Sequence, residues 1–166
     1  MSIPLQARSG AWQPALELLE PISLVRCCTS PLGRNLCMIV TETAVHVYVT
    51  SDESPNLSFE PVTSFFLGCR ATGASWSPST QHASTAWRIE ILVATETNEL
   101  RLLESVRQGS EASTSNKKLA DTHVRVSDLA WCASAGYESY AAAACADGTV
   151  RLWDLEGGCR THYLNS

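Results

Sequence analysis

Long apolar runs are missing from this 166-residue sequence, and so is an apolar segment near its first residue. A membrane-spanning helix needs about 20 consecutive apolar residues, and a secretory signal needs a shorter apolar core near the N-terminus. We therefore expect neither membrane insertion nor secretion, and a reducing location in the cytoplasm or the nucleus. The odd number of cysteines, seven, agrees with a reducing compartment.

Charge is also scarce, because only 17% of the residues are charged whereas 45% are hydrophobic. A chain of this length and composition can bury a core of its own as one globular domain. Its formal net charge is −5, whereas nucleic-acid-binding surfaces normally carry a basic patch. Lys117, Lys118 and the scattered arginines are too sparse to predict such a patch. We interpret them as solubilising charges and expect no nucleic-acid partner.

Motifs for catalysis and for metal or cofactor binding are absent from the sequence. The four histidines lie near no Gly-x-Ser-x-Gly elbow, no His-Glu-x-x-His motif and no glycine-rich phosphate loop. We therefore expect no cofactor, no small-molecule substrate and no enzymatic activity. One enzyme hypothesis stays open, in which Cys69 or Cys145 is a nucleophile close to His123. A thiol-reactive probe that labels neither cysteine in the folded chain would exclude it.

The cysteines show no Cys-x-x-Cys spacing and no histidine at metal-ligand distance, so we expect no metal site. We interpret them as small buried residues. Cys27 and Cys28 are adjacent, so their side chains would point to opposite faces of a strand. A redox role is the alternative interpretation. The seven positions are 27, 28, 37, 69, 132, 145 and 159.

A tight turn followed by an alternating strand is the clearest pattern that the sequence does contain. Asp147-Gly148 supplies residues that tolerate the positive φ angles of a two-residue hairpin turn. In residues 149–154, Val150, Leu152 and Asp154 then alternate with Thr149, Arg151 and Trp153, which is the period of a strand. The strand ends in the dipeptide Trp153-Asp154.

The turn and strand are repeated within the chain. Residues 94–104 align without a gap with residues 144–154, and Arg101 matches Arg151 in that alignment. The two copies are 50 residues apart, slightly more than the roughly 40–45 of WD40 repeats. A third, weaker copy begins at residues 40–43, where the sequence resembles residues 94–97.

A second shared pattern precedes the two stronger copies. Arg70 stands six residues before Trp76, and Arg125 stands six residues before Trp131. Each tryptophan closes a short apolar run, which indicates the first strand of a repeat unit.

The Trp-Asp ending after an Asp-Gly turn resembles the signature of WD40 repeats. This resemblance implies an all-β fold, namely an incomplete WD40-type β-propeller of about three blades, each an antiparallel four-stranded sheet. Residues 1–14 would be an N-terminal extension and 15–166 the partial propeller, with blades at roughly 22–67, 68–121 and 122–166. The structural blade signature comprises Trp76, Trp131, Asp147, Gly148, Trp153 and Asp154.

Further elements follow from local composition. We predict that residues 15–20 form an N-terminal strand that completes the last blade. Residues 57–67 and 159–164 have the apolar character of outermost blade strands, whereas the polar segments 77–85 and 108–116 are predicted loops.

Propellers typically close with four to eight blades, which is more than this chain can hold. We expect it to be the N-terminal portion of a longer protein or a shortened gene product, and to be marginally stable alone or to associate.

A polar network is common in WD40 blades, where a histidine ahead of the first strand bonds through Ser or Thr to the turn Asp and the strand Trp. His123 is the candidate here, but it stands one residue closer to the strand than is usual. Ala143 occupies the place of the Ser or Thr. The resemblance therefore implies an incomplete network in the third blade. Thr97 and Leu103 replace the Asp and the Trp in the second blade, so apolar packing would replace the network there.

The segment 67–78, with the phrase Arg-x-x-Gly-x-x-Trp-Ser-Pro, and the segment 95–102 resemble the second repeat of a nucleoporin family. This family is the small single-propeller WD40 subunit of the Y-shaped outer-ring complex of the nuclear pore. Asp154-Leu155-Glu156-Gly157 is similar to the end of its next repeat.

The resemblance implies a non-catalytic scaffold at the nuclear envelope that supports nucleocytoplasmic transport. Its partner would be a larger nucleoporin with a propeller and a helical solenoid. The alternative is a WD40 adaptor in the cytoplasm or nucleoplasm, either a substrate receptor of a ubiquitin ligase or a scaffold for chromatin regulators.

Overall fold

The structure is a computed structural model that describes residues 16, 18–51, 58–157 and 160–164. Within these residues the chain forms thirteen strands and no helix. The described residues therefore contain no helix that could cross a membrane. The first sheet contains β1 (Leu24–Cys27), β2 (Leu36–Val40), β3 (Ala44–Ser51) and β4 (Ser58–Phe66). The second contains β5 (Ala71–Trp76), β6 (Gln81–Ala83), β7 (Ala86–Thr95), β8 (Glu99–Gln108) and β9 (Glu111–Asp121). The third contains β10 (Val126–Trp131), β11 (Tyr140–Cys145), β12 (Val150–Asp154) and β13 (Arg160–Leu164).

All pairings between these strands are antiparallel, and nearly all join strands that are consecutive in the chain. The sheet orders are β1-β2-β3-β4, β5-β7-β8-β9 and β10-β11-β12-β13, and β6 pairs with one end of β7. The predicted all-β class with four-stranded antiparallel sheets is therefore confirmed. Strand β4 lies within the predicted outermost strand 57–67, and β13 lies within 159–164; Leu57 and Cys159 are outside the described residues.

The second sheet lies between the other two, because the apolar side chains of β7 alternate between its two faces. Ile89, Ile91 and Val93 pack in one cluster with residues of the first sheet, whereas Leu92 and Ala94 pack in another with residues of the third sheet. All five side chains are completely buried. Successive residues of a strand point to opposite faces, so one central strand contributes to both cores.

The predicted N-terminal strand at residues 15–20 is not formed. Leu16 and Leu18 are not in a strand, and they pack instead on the outer face of the first sheet, against Ile39 and its neighbours. Glu20 fixes the segment by accepting hydrogen bonds from the backbone N–H of Thr43 at 3.0 Å and from its hydroxyl at 2.6 Å. Side-chain contacts hold this segment where a strand ladder was expected; Ala15 and Glu17 are outside the described residues.

The predicted loop 77–85 is confirmed apart from the three-residue strand β6, whereas the predicted loop 108–116 is largely strand. The segment 77–85 contains β6, and its Ser77 and Thr80 are buried because they bond to the Glu90 side chain and backbone. The segment 108–116 is a two-residue turn at Gly109-Ser110 followed by β9. The first eight residues of β9 are exposed polar or small residues, so the apolar alternation that predicts a half-buried strand is missing.

The repeated arginine that aligned two copies of the sequence has the same structural role in both. Arg101 donates from Nη1 to the carbonyl oxygen of Leu67 at 3.0 Å, and Arg151 donates from Nη1 to that of Thr122 at 2.6 Å. Leu67 directly follows the last strand of the first sheet, and Thr122 directly follows that of the second. Each arginine therefore ties its sheet to the end of the preceding one.

Candidate functional site

The first two residues of the predicted blade signature connect neighbouring sheets. Trp76, at the end of β5, is buried and donates from its indole Nε1 to the backbone oxygen of Arg26 in β1 at 3.1 Å. Trp131, at the end of β10, is partly buried against the core between the second and third sheets. Its backbone N–H donates to the hydroxyl of Ser75 in β5 at 2.8 Å, and its indole donates to the carbonyl of Glu138. The hydrogen bond from Trp76 to β1 and the one from Trp131 to β5 thus connect the first strands of the three sheets.

Asp147 and Gly148 lie in the turn between β11 and β12, which spans the four residues 146–149 and is longer than the predicted two-residue turn. Asp147 accepts hydrogen bonds from the backbone and the hydroxyl of Thr149 at 3.0 and 2.6 Å and pairs with Arg151 at 3.2 Å. The Thr149 hydrogen bonds, with the Arg151 charge, lower the pKa of the Asp147 carboxyl. Gly148 adopts φ +82°. Asp147 therefore acts as a turn-stabilising anion.

Trp153 and Asp154 lie at the end of β12. The Trp153 ring is buried in the core shared by the second and third sheets, and its indole nitrogen has no hydrogen-bond partner in the described part of the chain. Asp154 accepts a hydrogen bond from the backbone N–H of Gly157 at 2.9 Å. His123 is exposed in the turn before β10, and Ala143 is completely buried. The polar network is therefore incomplete, as the missing hydroxyl at Ala143 predicted.

The residues of the enzyme hypothesis are not brought into a catalytic arrangement within the described chain. The Cys69 thiol donates to the carbonyl of Leu67, and the buried Cys145 thiol donates to that of Ala143. Each thiol is thus engaged with backbone, and His123 forms no hydrogen bond with either among the described residues. Those residues also contain no group of three or more His, Cys, Asp or Glu side chains that could hold a metal ion.

A buried carboxylate lies between the second and third sheets. Glu90 of β7 accepts hydrogen bonds from the hydroxyls of Ser77 and Ser79 at 3.0 and 2.6 Å and from Nε of Arg88 at 2.7 Å. Burial raises the pKa of this carboxyl, but the bonds from Ser79, Arg88 and Ser77 outweigh it, so the net pKa is lowered. These bonds explain the Ser-Pro-Ser sequence after Trp76 as a structural motif.

A cavity of about 340 Å³ opens where the first strands of the three sheets converge. We call it the arginine pocket, because Arg26, Arg70 and Arg125 all line it, together with Asp128. Arg70 directly precedes β5 and Arg125 directly precedes β10, so the two occupy equivalent places. Their backbone oxygens accept equivalent hydrogen bonds, from Glu96 at 2.9 Å and from Ala146 at 2.8 Å.

The walls of the arginine pocket are held by contacts between distant parts of the chain. Arg26 Nη2 pairs with Asp128 Oδ1 at 2.5 Å, which joins the first sheet to the third. Gly73 of β5 lies so close to β10 that an added Cβ would be 3.2 Å from the Asp128 Cα and the Leu129 nitrogen. Only glycine permits this approach without a shift of backbone.

The arginine pocket is a local group of basic residues, which the sparse distribution of lysine and arginine along the sequence did not predict. Three arginines and Asp128 line the cavity, and the adjacent Glu96 carboxylate accepts a hydrogen bond from the Arg70 backbone N–H at 3.1 Å, so arginines exceed carboxylates here by one, in a chain whose net charge is −5. Within the described residues, the Arg70 and Arg125 side chains form no ion pair, and both residues are exposed. The regular distance of each arginine from a tryptophan was the sequence signal for this site. Arg26 had no such signal, because its position depends on how the sheets pack.

The solved structures with a similar fold include a domain from fission yeast and a protein from Chaetomium thermophilum. The WD40 domain of SCAP from fission yeast aligns with a TM-score of 0.62 and 12% identity, over 87% of this chain and 32% of that chain. Chaetomium thermophilum Sqt1, bound to the N-terminus of the ribosomal protein L10, aligns with a TM-score of 0.47 and 15% identity, over 99% of this chain and 54% of that one. No protein-family model and no curated protein sequence matches this chain.

This chain therefore spans about a third of the SCAP WD40 chain and about half of the Sqt1 chain. At 12% identity, the similarity to the SCAP domain concerns the fold and not the activity. The consecutive antiparallel sheets and this similarity agree with the WD40 pattern in the sequence: the chain has the fold of an incomplete WD40-type β-propeller.

Proposed function

We propose that this chain is a non-catalytic protein-interaction module that binds an acidic segment of a partner protein at the arginine pocket. The convergence of Arg26, Arg70 and Arg125 on one cavity is the observation that supports the proposal. A guanidinium presents a planar set of donors that matches a carboxylate in two parallel hydrogen bonds. Because the Arg70 and Arg125 guanidiniums form no ion pair within the described residues, they are the two that would contact the partner.

Asp128 gives the arginine pocket its selectivity in this proposal. Its carboxylate already pairs with Arg26 and also accepts a hydrogen bond from the Leu129 backbone N–H at 2.9 Å. It would repel a second acidic group placed beside Arg26. The partner's carboxylate is therefore directed towards Arg70 and Arg125.

Binding of a fluorescent hexaglutamate peptide, measured by fluorescence anisotropy at low and moderate salt, tests the arginine pocket. The double variant Arg70→Gln/Arg125→Gln should bind at least about tenfold more weakly, because each charge-assisted hydrogen bond contributes about 1.5–3 kcal/mol. Arg34→Gln is the matched control, since Arg34 is an exposed arginine in the turn between β1 and β2. Equal affinity for the double variant, the control and the unchanged chain would contradict the proposal.

We further propose that the module is a structural nucleoporin of the outer ring of the nuclear pore. The support is the resemblance of residues 67–78 and 95–102 to that family. In this proposal the partner is the larger propeller-and-solenoid nucleoporin of the Y-shaped complex. Fluorescence imaging of the tagged protein should give a nuclear rim, and affinity capture should recover outer-ring subunits. A diffuse cytosolic or nucleoplasmic signal without those subunits would favour the adaptor function instead.

A further inference from the structure

Two cysteines lie directly opposite each other on the first pair of strands. In the register of β1 and β2, Cys27 is the partner of Cys37. The neighbouring backbone hydrogen bond runs from the Cys28 nitrogen to the Leu36 oxygen at 2.8 Å. Cys28 and Leu36 are therefore a hydrogen-bonded pair, which makes Cys27 and Cys37 a non-hydrogen-bonded pair.

This position is the one on an antiparallel ladder that brings side chains closest. In a non-hydrogen-bonded pair the Cα atoms are about 4.5 Å apart, and the side chains leave the same face. A disulfide requires Cα atoms roughly 4.4–6.8 Å apart. The backbone of β1 and β2 therefore already satisfies the main distance requirement for a bond between the two sulfurs.

The two thiols differ in solvent exposure, and this difference determines which of them reacts first. Cys27 is exposed, which corrects the interpretation of all the cysteines as buried, whereas Cys37 is 3% exposed and packs with Ile39 and Tyr48. Burial, with the Cys27 thiol beside it, raises the pKa of the Cys37 thiol to about 11. The exposed Cys27 is thus the thiol that an oxidant reaches first.

The third nearby thiol is separated from this pair by the sheet. Cys28 is buried in the core between the first and second sheets, on the face opposite Cys37. The adjacent Cys27 and Cys28 therefore point to opposite faces, as their sequence positions predicted. Cys28 cannot compete for Cys37 without a rearrangement of β1.

We propose that Cys27 and Cys37 form a reversible cross-strand disulfide when the chain meets a low-molecular-weight disulfide such as oxidised glutathione. In the first step the Cys27 thiolate attacks one sulfur of glutathione disulfide, which gives a mixed disulfide and releases one glutathione thiolate. Cys37 then gives up its proton to water and attacks the Cys27 sulfur. The second glutathione thiolate leaves, so the two cysteines lose two electrons and the glutathione disulfide gains them.

The bond would fix β1 at a place that matters for the arginine pocket. Strand β1 has only four residues, and Arg26 directly precedes Cys27. A covalent link between Cys27 and β2 holds the end of β1 on the sheet, and with it the Arg26 backbone that accepts the Trp76 hydrogen bond. Oxidation should therefore slow the hydrogen exchange of the Arg26 and Cys28 amides.

Peptide mapping of the full chain tests the proposal. After incubation with oxidised glutathione, free thiols are alkylated, and trypsin is used without reductant. Trypsin cleaves after Arg26, Arg34 and Arg70, so the expected product is peptide 27–34 linked to peptide 35–70, with fragment ions that place the bond between Cys27 and Cys37. Dithiothreitol should remove the link.

Single substitutions distinguish the pair from its neighbours. Peptide 27–34 also contains Cys28, and peptide 35–70 also contains Cys69. The link should persist in Cys28→Ser and Cys69→Ser and disappear in Cys27→Ser, which alters an exposed side chain and should leave the fold intact. Persistence of the link in Cys27→Ser would overturn the proposal, and so would a glutathione adduct on Cys27 that never resolves to a link.

Discussion

At the scale of single residues, Trp76 and Trp153 offer a matched comparison. Both rings are buried, with exposures of 5% and 3%, but only the Trp76 indole has a hydrogen-bond acceptor among the described residues. Replacement by phenylalanine removes similar volume at both sites. A buried polar group without a partner costs about 1–3 kcal/mol, so the Trp153 substitution also relieves a penalty.

We therefore expect Trp76→Phe to destabilise the chain by about 1–3 kcal/mol more than Trp153→Phe does. Urea unfolding followed by circular dichroism measures the two free energies of unfolding under the same conditions. An equal loss in both variants would show that the Trp76 hydrogen bond to Arg26 does not contribute to stability.

The tryptophans also show how far residue roles could be predicted from the sequence. The six-residue distance of Arg70 from Trp76 and of Arg125 from Trp131 marked these four residues as equivalent, and the structure places each pair at the start and the end of a first strand. The meeting of both arginines with Arg26 could not be predicted. It depends on the approach of β10 to Gly73, a contact between sheets that leaves no local pattern in the sequence.

At the scale of elements, the turns after β7 and β11 have the same conformation with different residues. Asn98 adopts φ +60° and Gly148 adopts φ +82°, and each backbone nitrogen donates at 3.0 Å to the carbonyl three residues earlier. The gap-free alignment of residues 94–104 with 144–154 matches these two positions. Asparagine and glycine are the residues that most readily adopt positive φ angles.

We expect Asn98→Gly and Gly148→Asn to leave the free energy of unfolding nearly unchanged. Asn98→Ala and Gly148→Ala should each lower it by about 1–2 kcal/mol, the cost of a left-handed conformation with a Cβ atom. Space is not the cause at Gly148, because nothing lies within 4 Å of an added Cβ there. Thermal and urea unfolding of the four variants check this, and an undiminished stability of both alanine variants would contradict it.

The bonds around Glu90 predict how acid affects the contact between β7 and its neighbours. Since the folded chain lowers the pKa of this carboxyl below its ordinary value of 4.5, the ionised carboxylate stabilises the fold above that value. This stabilisation is lost as the pH falls through the lowered pKa. Glu90→Gln should therefore show a shallower loss of stability between about pH 5 and 3. Urea unfolding across that range measures it.

Glu60→Gln is the control for that experiment, because Glu60 is an exposed carboxylate in β4. This variant should follow the unchanged chain at every pH. Parallel pH profiles for Glu90→Gln and the unchanged chain would show that the hydrogen bonds from Ser77 and Ser79 do not favour the charged form.

Elements could be predicted from the sequence where one face of a strand is buried, and not elsewhere. The strand β12 shows a clear alternation, with Arg151 and Trp153 buried and their neighbours less so. By contrast, β9 is held by its ladder with β8, and its residues Glu111 to Lys118 face solvent on both sides. Backbone pairing without side-chain burial produces no alternation of apolar and polar residues, which is why the sequence predicted a loop at the start of β9.

At the scale of the whole molecule, the two outer sheet faces differ. The outer face of the first sheet is partly covered, since Cys37 and Ile39 are nearly buried under Leu16 and Leu18, although Val25 on the same face is 53% exposed. On the third sheet, Val150 is 42% exposed and Leu152 is only partly buried on the corresponding outer face. We expect this apolar face to bind a second copy of the chain.

Sedimentation velocity over a range of concentrations should therefore detect association. Val150→Lys should weaken it about tenfold or more, because burial of a valine contributes roughly 1.5–3 kcal/mol. Leu32→Lys is the control, since Leu32 is 67% exposed and lies in the turn between β1 and β2, outside the third sheet. A monomer at all concentrations, with a sharp and reversible thermal transition, would contradict the expectation.

The pairing of nearly every strand with the one before it has a consequence for synthesis on the ribosome. A hairpin forms in about 1–10 μs, whereas the ribosome adds only about 5–20 residues per second. The β2–β3 hairpin can therefore pair long before β5 has been translated. Met38 and Val47 are completely buried in the core shared by the first and second sheets. Their side chains become buried only after the second sheet has been synthesised and has packed against the first. During that interval the nascent first sheet exposes the apolar surface that a chaperone would recognise.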